Sequence, residues 1–378
     1  MRQLLFDWGV ADYYGWGVYG FNLLYWALIQ GQFKPIPPAW PPRTIYPPDP
    51  MAMELFARHQ SAWTGERRTF PGDVVLRCGG NEVPQRESHD LTSLLVTFFE
   101  SNPLPPSVVE RMRQYSCVVA GSRWTCRALA DMGLTEVRYV IQGVDTDLFC
   151  FRPKRVFRDR FVVFSGGKLE YRKGQDLVVK AFSRFAARHA EALLLACWRS
   201  PWETQIANSI NSSGLCAPLV SGNDLGTSIR AWLQANGIRP EQYVCLNPVA
   251  NRLMPEVFRE VDVALFPNRC ESGTNLVAME AMSSGVTTIL SRNTGHIDLM
   301  SGDNSIVLES QRPVGVPNGT RDWGESDVDE IDAALEGALT GRLRRDPARV
   351  RQSMLALTWE NSIATLQRCA LDVAGEKR

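Results

Sequence analysis

Residues 262–291 read DVALFPNRCESGTNLVAMEAMSSGVTTILS. A short apolar run, DVALFPN, gives way to a polar turn, then to an apolar run ending in Ser-Ser-Gly, then to a second short run, TTILS. Brief apolar runs bounded by turn residues suit strands buried on both faces of a parallel sheet, and the longer run between them suits a helix. Strand, turn, helix and strand in succession make a βαβ unit, which assigns the chain to the α/β class.

The same alternation extends in both directions. FVVFSGG (161–167) precedes the helical pattern GQDLVVKAFSRFAARH (174–189), and ALLLACW, TSIRAWLQANG, YVCLNP and SIVLES continue the series. An earlier series holds RQLLFDWG, GWGVYGFNLLYWALIQG, DVVLRCGG, LLVTFFES, SCVVAGSR, RWTCRALADMG and RYVIQGVDTDLF. Between them lies the charged stretch CFRPKRVFRDR (150–160). Two runs of alternating strand and helix predict two doubly wound domains, with residues 1–155 as the first and 156–345 as the second. Residues 346–378 are expected to form a helical segment. Its amphipathic run TWENSIATLQRCALDV either caps the second domain or crosses back to the first. The proline-dense KPIPPAWPPRTIYPPDP (34–50) is expected to be a surface loop, since proline sustains neither helix nor central strand.

A chain of 378 residues is long enough for two cores. Its 41 Lys plus Arg balance 41 Asp plus Glu, so no global field favours nucleic acid or an acidic membrane. The nine cysteines are scattered without a C-x-x-C pair or zinc spacing, which points to reduced thiols and a reducing compartment. The N-terminus lacks the apolar core of a signal segment, and FNLLYWALI is too short to span a bilayer. A cytoplasmic protein is expected, with peripheral contact at the inner membrane face left open.

Ligands of doubly wound sheets sit at the carboxyl ends of the strands. Two polar segments fall there. In ESGTNLVAMEAM, Thr274 or Asn275 is a suitable N-cap, and the amides of the next turn would present the positive end of a helix to an anion. Glu280, one turn beyond Leu276, and Glu271, before the turn, carry carboxylates able to accept from hydroxyls. The plain alternative is a capped helix with an ordinary early acid. In SGGKLEYRKGQD a Gly-Gly turn ending at Gly167 brings backbone close to a ligand, and Lys168, Arg172 and Lys173 follow it. Alone, that is a solvated basic turn. Together, the two segments are suited to hold a diphosphate without a metal ion.

These two segments resemble the nucleotide-sugar half of retaining, GT-B-fold glycosyltransferases of the family 4, or glycosyl transferases group 1, type. VVAGSRWTCRALADMG and VIQGVDTDLFCF resemble that family's acceptor half and interdomain segment, and GWGVYGFNL resembles its N-terminal glycine loop. The resemblance implies two Rossmann-like domains facing across a cleft, with the helix containing Trp359 crossing back to the first. It implies Lys168 and Lys173 on the donor diphosphate, Glu271 on the transferred sugar and Glu280 on the ribose. Backbone amides around Gly273, Thr274, Asn275 and Leu276 would hold phosphate and sugar, and Gly15, Gly17 and Gly20 would line the opposite wall. Lys168 stands where the family often has arginine.

Eight residues, SGTNLVAM, separate Glu271 from Glu280, one more than the family's usual spacing, so with Glu280 aligned Glu271 stands one residue out of the family's register. None of His59, His89, His189 and His296 ends an apolar strand where the family's acceptor half often has a histidine. FFESNPLPP offers Glu100 instead, as the acceptor-side carboxylate or simply a strand-end cap. Asp145 and Asp147 form a D-x-D that reads better as a turn than as a metal site, and DVDE (327–330) reads as an acidic helix start.

The expected activity is metal-independent transfer of a hexosyl unit, with retention, from a UDP- or GDP-linked sugar to a hydroxyl of a glycan, glycolipid or glycoprotein. No cofactor is expected. A nucleotide-sugar epimerase and a non-catalytic sugar-nucleotide-binding subunit are the alternatives.

Overall fold

The computed structural model describes residues 2–47, 49–63, 68–87, 92–199, 209–220, 222, 224–315 and 320–375. Among these, twelve strands form two six-stranded sheets, parallel throughout. The first has the order β2-β1-β3-β4-β5-β6, from β1 (Gln3–Phe6), β2 (Lys34–Ile36), β3 (Val74–Gly79), β4 (Thr92–Thr97), β5 (Cys117–Ala120) and β6 (Val137–Tyr139). The second has the order β12-β11-β10-β7-β8-β9, from β7 (Phe161–Lys168), β8 (Ala192–Arg199), β9 (Tyr243–Cys245), β10 (Val263–Phe266), β11 (Thr287–Ser291) and β12 (Ile306–Leu308). Strands β5, β10 and β11 are buried along their whole length, which accounts for the unbroken apolar sequence of β5 and β10. The quoted stretch is β10, α8 (Leu276–Ser283) and β11, as its pattern predicts.

In the second sheet the order reverses between β7 and β10, the place where open α/β sheets hold ligands. Both polar segments singled out above leave the carboxyl ends of those two strands.

The C-terminal helix α11 (Trp359–Val373) crosses back. Its Trp359, Ile363, Leu366 and Ala370 join the core of the first domain, where Trp359 meets Tyr19 of α1 (Gly15–Gln30) at 5.3 Å between ring centroids. Ser362 donates to the Ile141 carbonyl at 2.6 Å, and the Val144 amide donates to the Leu357 carbonyl at 2.9 Å. Gly143 has no room for a side chain, since a Cβ there would lie 2.3 Å from the Trp359 backbone.

Four elements were not legible. Strand β2 contains Pro35 inside the proline-dense stretch; it is an edge strand pairing only with β1, where a missing donor is tolerated. Helix α2 (Pro50–Ala57) begins at the end of the same stretch, capped by Asp49, whose carboxylate accepts from the Met51 and Ala52 amides. The antiparallel pair β13 (Gln311–Pro313) and β14 (Gly324–Ser326) lacks apolar alternation. The proline loop itself is packed: Trp40 lies 4.9 Å from Trp63, while Tyr46 stays exposed. Asp145 accepts from the Asp147 and Leu148 amides at 3.1 and 2.9 Å, and Asp327 caps its helix through the Asp329 amide, so both acidic motifs serve turns. Among the described residues no helix is long and apolar enough to cross a membrane.

Candidate active site

Helix α8 starts from a strained residue. Asn275 has φ 67°, a left-handed conformation in which asparagine is better tolerated than most side chains, and its Oδ1 caps the Ala278 amide at 3.4 Å. Its other side-chain atom is also used. Asn275 Nδ2 donates to Nε2 of His296 at 3.1 Å, which assigns the ring hydrogen to Nδ1, facing Ser291 Oγ at 3.1 Å. The Ser291 hydroxyl then donates to the Asn268 carbonyl at 2.6 Å. His296 is fully buried, and burial pulls its pKa down to about 4, so the ring is neutral near pH 7, as that chain of bonds requires.

A charge cluster sits beside this helix start. The Lys173 ammonium and the Asn268 amide both bond Oε1 of Glu271, and Arg172 Nη1 lies 3.1 Å from Oε2. Arg172 also meets Glu170 at 2.5 Å and reaches across the domain boundary to Glu100 at 3.5 Å. Lys168 stands 3.4 Å from Glu170 at the exposed end of β7. Burial alone would lift the Glu271 carboxyl, yet Lys173 and Arg172 overcome it and hold the pKa at about 2. Glu100 goes the other way: burial raises it, and Arg172 only partly offsets this. Burial lowers Lys173 despite Glu271 beside it. The Tyr171–Lys173 turn is fixed from below, because Gly174, at φ 71°, sits so close to the Pro267 carbonyl that a Cβ would be 2.3 Å away. Gly167, at φ 124°, flanks the Lys173 stem.

Glu280 is buried one turn into α8, bonded by the Asn251 amide group. Burial pushes its carboxyl up to about 8, with Asn251 as the opposing influence. The Asn251 backbone amide in turn donates to the Asp12 carbonyl of the first domain at 2.6 Å.

The first domain closes over this edge. The Ser272 carbonyl accepts from Ser122 Oγ at 2.6 Å and from Thr125 Oγ1 at 2.7 Å, two residues at the start of α4 (Arg123–Asp131). A Cβ on Gly15 would stand 4.0 Å from Leu276, and one on Gly273 would strike Gln142 and Phe98. Gly17 and Gly20 pack inward instead, on Ala11 and on the Gly9 carbonyl. Thr274 is buried, its hydroxyl on the Met279 sulfur. A separate cavity of about 440 Å³, lined by Trp124, Arg127, Ala128, Ala130, Asp131 and Asp322, opens beside α4 rather than at this cluster.

Lys168, Lys173, Gly167, Glu271, Gly273, Thr274, Asn275, Leu276, Glu280, Gly15 and Glu100 therefore gather at one edge, while Gly17 and Gly20 shape the loop behind it. His296, Asn268, Asn251, Ser122 and Thr125 went unassigned. Only the Ser122 cap, in AGSRW, carries a local sequence signal; the others act through tertiary contacts. His59 and His189 lie elsewhere, against Trp63 and Glu336, and His89 is outside the described residues.

Residues 159–316, which carry both β7 and the quoted stretch, match the family described as glycosyl transferases group 1. This domain belongs to that family. Residues 159–316 are thus a glycosyltransferase domain. No curated protein sequence matches the chain. Among solved structures, sucrose-phosphate synthase from Thermosynechococcus elongatus superposes with a TM-score of 0.67 at 15% identity, covering 97% of this chain and 98% of that one. A UDP-forming trehalose-phosphate synthase from Burkholderia vietnamiensis gives 0.65 at 14% identity, over 99% and 97%. The Anabaena protein HepE, in complex with UDP-glucose, gives 0.62 at 13% identity over the full length of both chains. At such identities the glycosyltransferase shares their GT-B fold.

Proposed function

We propose that this glycosyltransferase moves a hexosyl unit, with retained configuration and without a metal ion, from a UDP-linked sugar to a hydroxyl of a glycan, glycolipid or glycoprotein. The observation that carries the proposal is the placement of Lys173 and Glu271 against the start of α8 at the sheet's switch point. UDP is favoured over GDP because the similar HepE was solved with UDP-glucose and the trehalose-phosphate synthase is UDP-forming.

When the anomeric bond breaks, negative charge grows on the departing diphosphate. Lys173, Lys168 and the amides opening α8 stabilise that charge more in the transition state than in the ground state. Glu280 accepts from the ribose hydroxyls. Glu271, ionised and already engaged by Lys173, Arg172 and Asn268, is a poor nucleophile, so it orients the sugar and holds the cations in place. The leaving phosphate takes the acceptor's proton on the face it departs from, which preserves configuration. Glu100, whose carboxyl is raised, receives the acceptor from the first domain. Closure of the domains excludes water and limits hydrolysis.

The test is incubation of the purified chain with UDP-glucose or GDP-mannose and a glycan acceptor panel, with and without EDTA, following the product's anomeric configuration by NMR. An α-linked product from the UDP sugar, formed equally in EDTA, is expected. An inverted product, or activity abolished by EDTA, contradicts the proposal.

A further inference from the structure

The segment VIQGVDTDLF holds a group that the roles above leave idle. Gln142 is 8% exposed, and its side chain is hydrogen-bonded to no described residue. Neither of its side-chain polar atoms is sealed from the surface, so the amide is open to a ligand that would bond it.

Its position shows what that is. Gln142 Oε1 stands 2.7 Å from where a Cβ on Gly273 would lie, and the Phe98 ring comes within 3.0 Å of the same point. Gly273 is midway between Glu271 and Asn275, in the loop that faces the sugar and phosphate. The amide is also rigidly mounted. The carbonyl of Ile141 accepts from Ser362, Gly143 is pressed on the Trp359 backbone, and the Val144 amide is bonded to Leu357, so α11 clamps the residues on both sides. A packed segment thus brings the Gln142 amide against the donor loop from the opposite domain.

We propose that Gln142 is a specificity-determining residue, which hydrogen-bonds a hydroxyl of the transferred hexose and so reads the sugar rather than the nucleotide. An amide that both donates and accepts suits a neutral sugar hydroxyl, which does the same. This inference rests on the donor site proposed above. A site built to bond a hydroxyl discriminates strongly against a ligand that lacks it.

The experiment is calorimetric titration of the full chain and of Gln142→Met, which keeps the length and removes the amide, with UDP, UDP-glucose, GDP and GDP-mannose, alongside melting curves. Wild type is expected to bind one sugar nucleotide. Gln142→Met is expected to bind the parent nucleotide as wild type does, to bind the sugar nucleotide at least tenfold more weakly, and to melt no lower. Equal binding of the sugar nucleotide by both proteins overturns this inference alone. A lowered melting point with loss of nucleotide binding as well makes Gln142 a structural residue and also overturns it. If wild type binds none of the four, the donor site and this inference fall together.

Discussion

Glu280→Gln is a perturbation whose effects follow from the burial of one carboxyl. In the folded chain that carboxyl titrates at about 8, against an ordinary value of 4.5. Between those values the folded protein holds a proton that the unfolded chain has released. Stability from this group is therefore full below 4.5 and is lost as pH rises through 8, a change of roughly 5 kcal/mol. Glutamine has the shape of the protonated acid and does not titrate. Urea unfolding at pH 5, 7 and 9 is expected to show wild type losing stability towards pH 9, with a smaller loss in the variant. The donor sees the opposite trend. If the ionised carboxylate accepts the ribose hydroxyls, donor binding expels the proton, and affinity rises by about tenfold per pH unit up to 8, then levels off. Calorimetry with the nucleotide sugar between pH 6 and 9 reads that slope, which Glu280→Gln removes while binding more weakly throughout. Parallel pH profiles in the two proteins, for stability and for binding, would refute the assignment.

Three other substitutions probe the surroundings. His296→Ala strips a buried partner from both Asn275 and Ser291, and a loss of about 2–4 kcal/mol in unfolding free energy is expected, together with weaker donor binding as the α8 cap loosens; an unchanged donor Kd would detach the cap from the site. Glu100→Gln is expected to slow transfer roughly a hundredfold with little effect on donor Kd, and a wild-type rate would reduce Glu100 to an ion-pair partner of Arg172. Gly143→Ala drives a methyl into the Trp359 backbone, which cannot yield as a side chain would; a destabilisation on the order of 3 kcal/mol is expected in denaturant melts, and wild-type stability would contradict the clamp.

The parallel sheets were legible because strands buried on both faces leave unbroken apolar runs, as in VALF and CVVA. The donor loop was legible because a helix cap and its turn are local in sequence. Elements without such a signal escaped. Strand β2 carries a proline that only an edge position admits, a fact set by its neighbours. Arg172 read as one more solvated cation, yet it is buried at the junction of three carboxylates, one of them from the other domain. His296 and Asn251 act by orienting Asn275 and Glu280, and neither contact can be foreseen from spacing. Gly15, Gly17 and Gly20 read alike in GWGVYG, but helix geometry turns only the first towards Leu276.

The central claim is that Lys173 and the start of α8 grip a diphosphate. Lys173→Ala tests it most directly, measured by titration with the nucleotide sugar and by turnover, with Lys168→Ala as the comparison from the exposed end of β7. Loss of one such contact is worth about 3 kcal/mol in the transition state, so turnover is expected to fall roughly a hundredfold in Lys173→Ala and donor binding to weaken, with a milder effect in Lys168→Ala. Binding and turnover at wild-type levels in Lys173→Ala would contradict the claim.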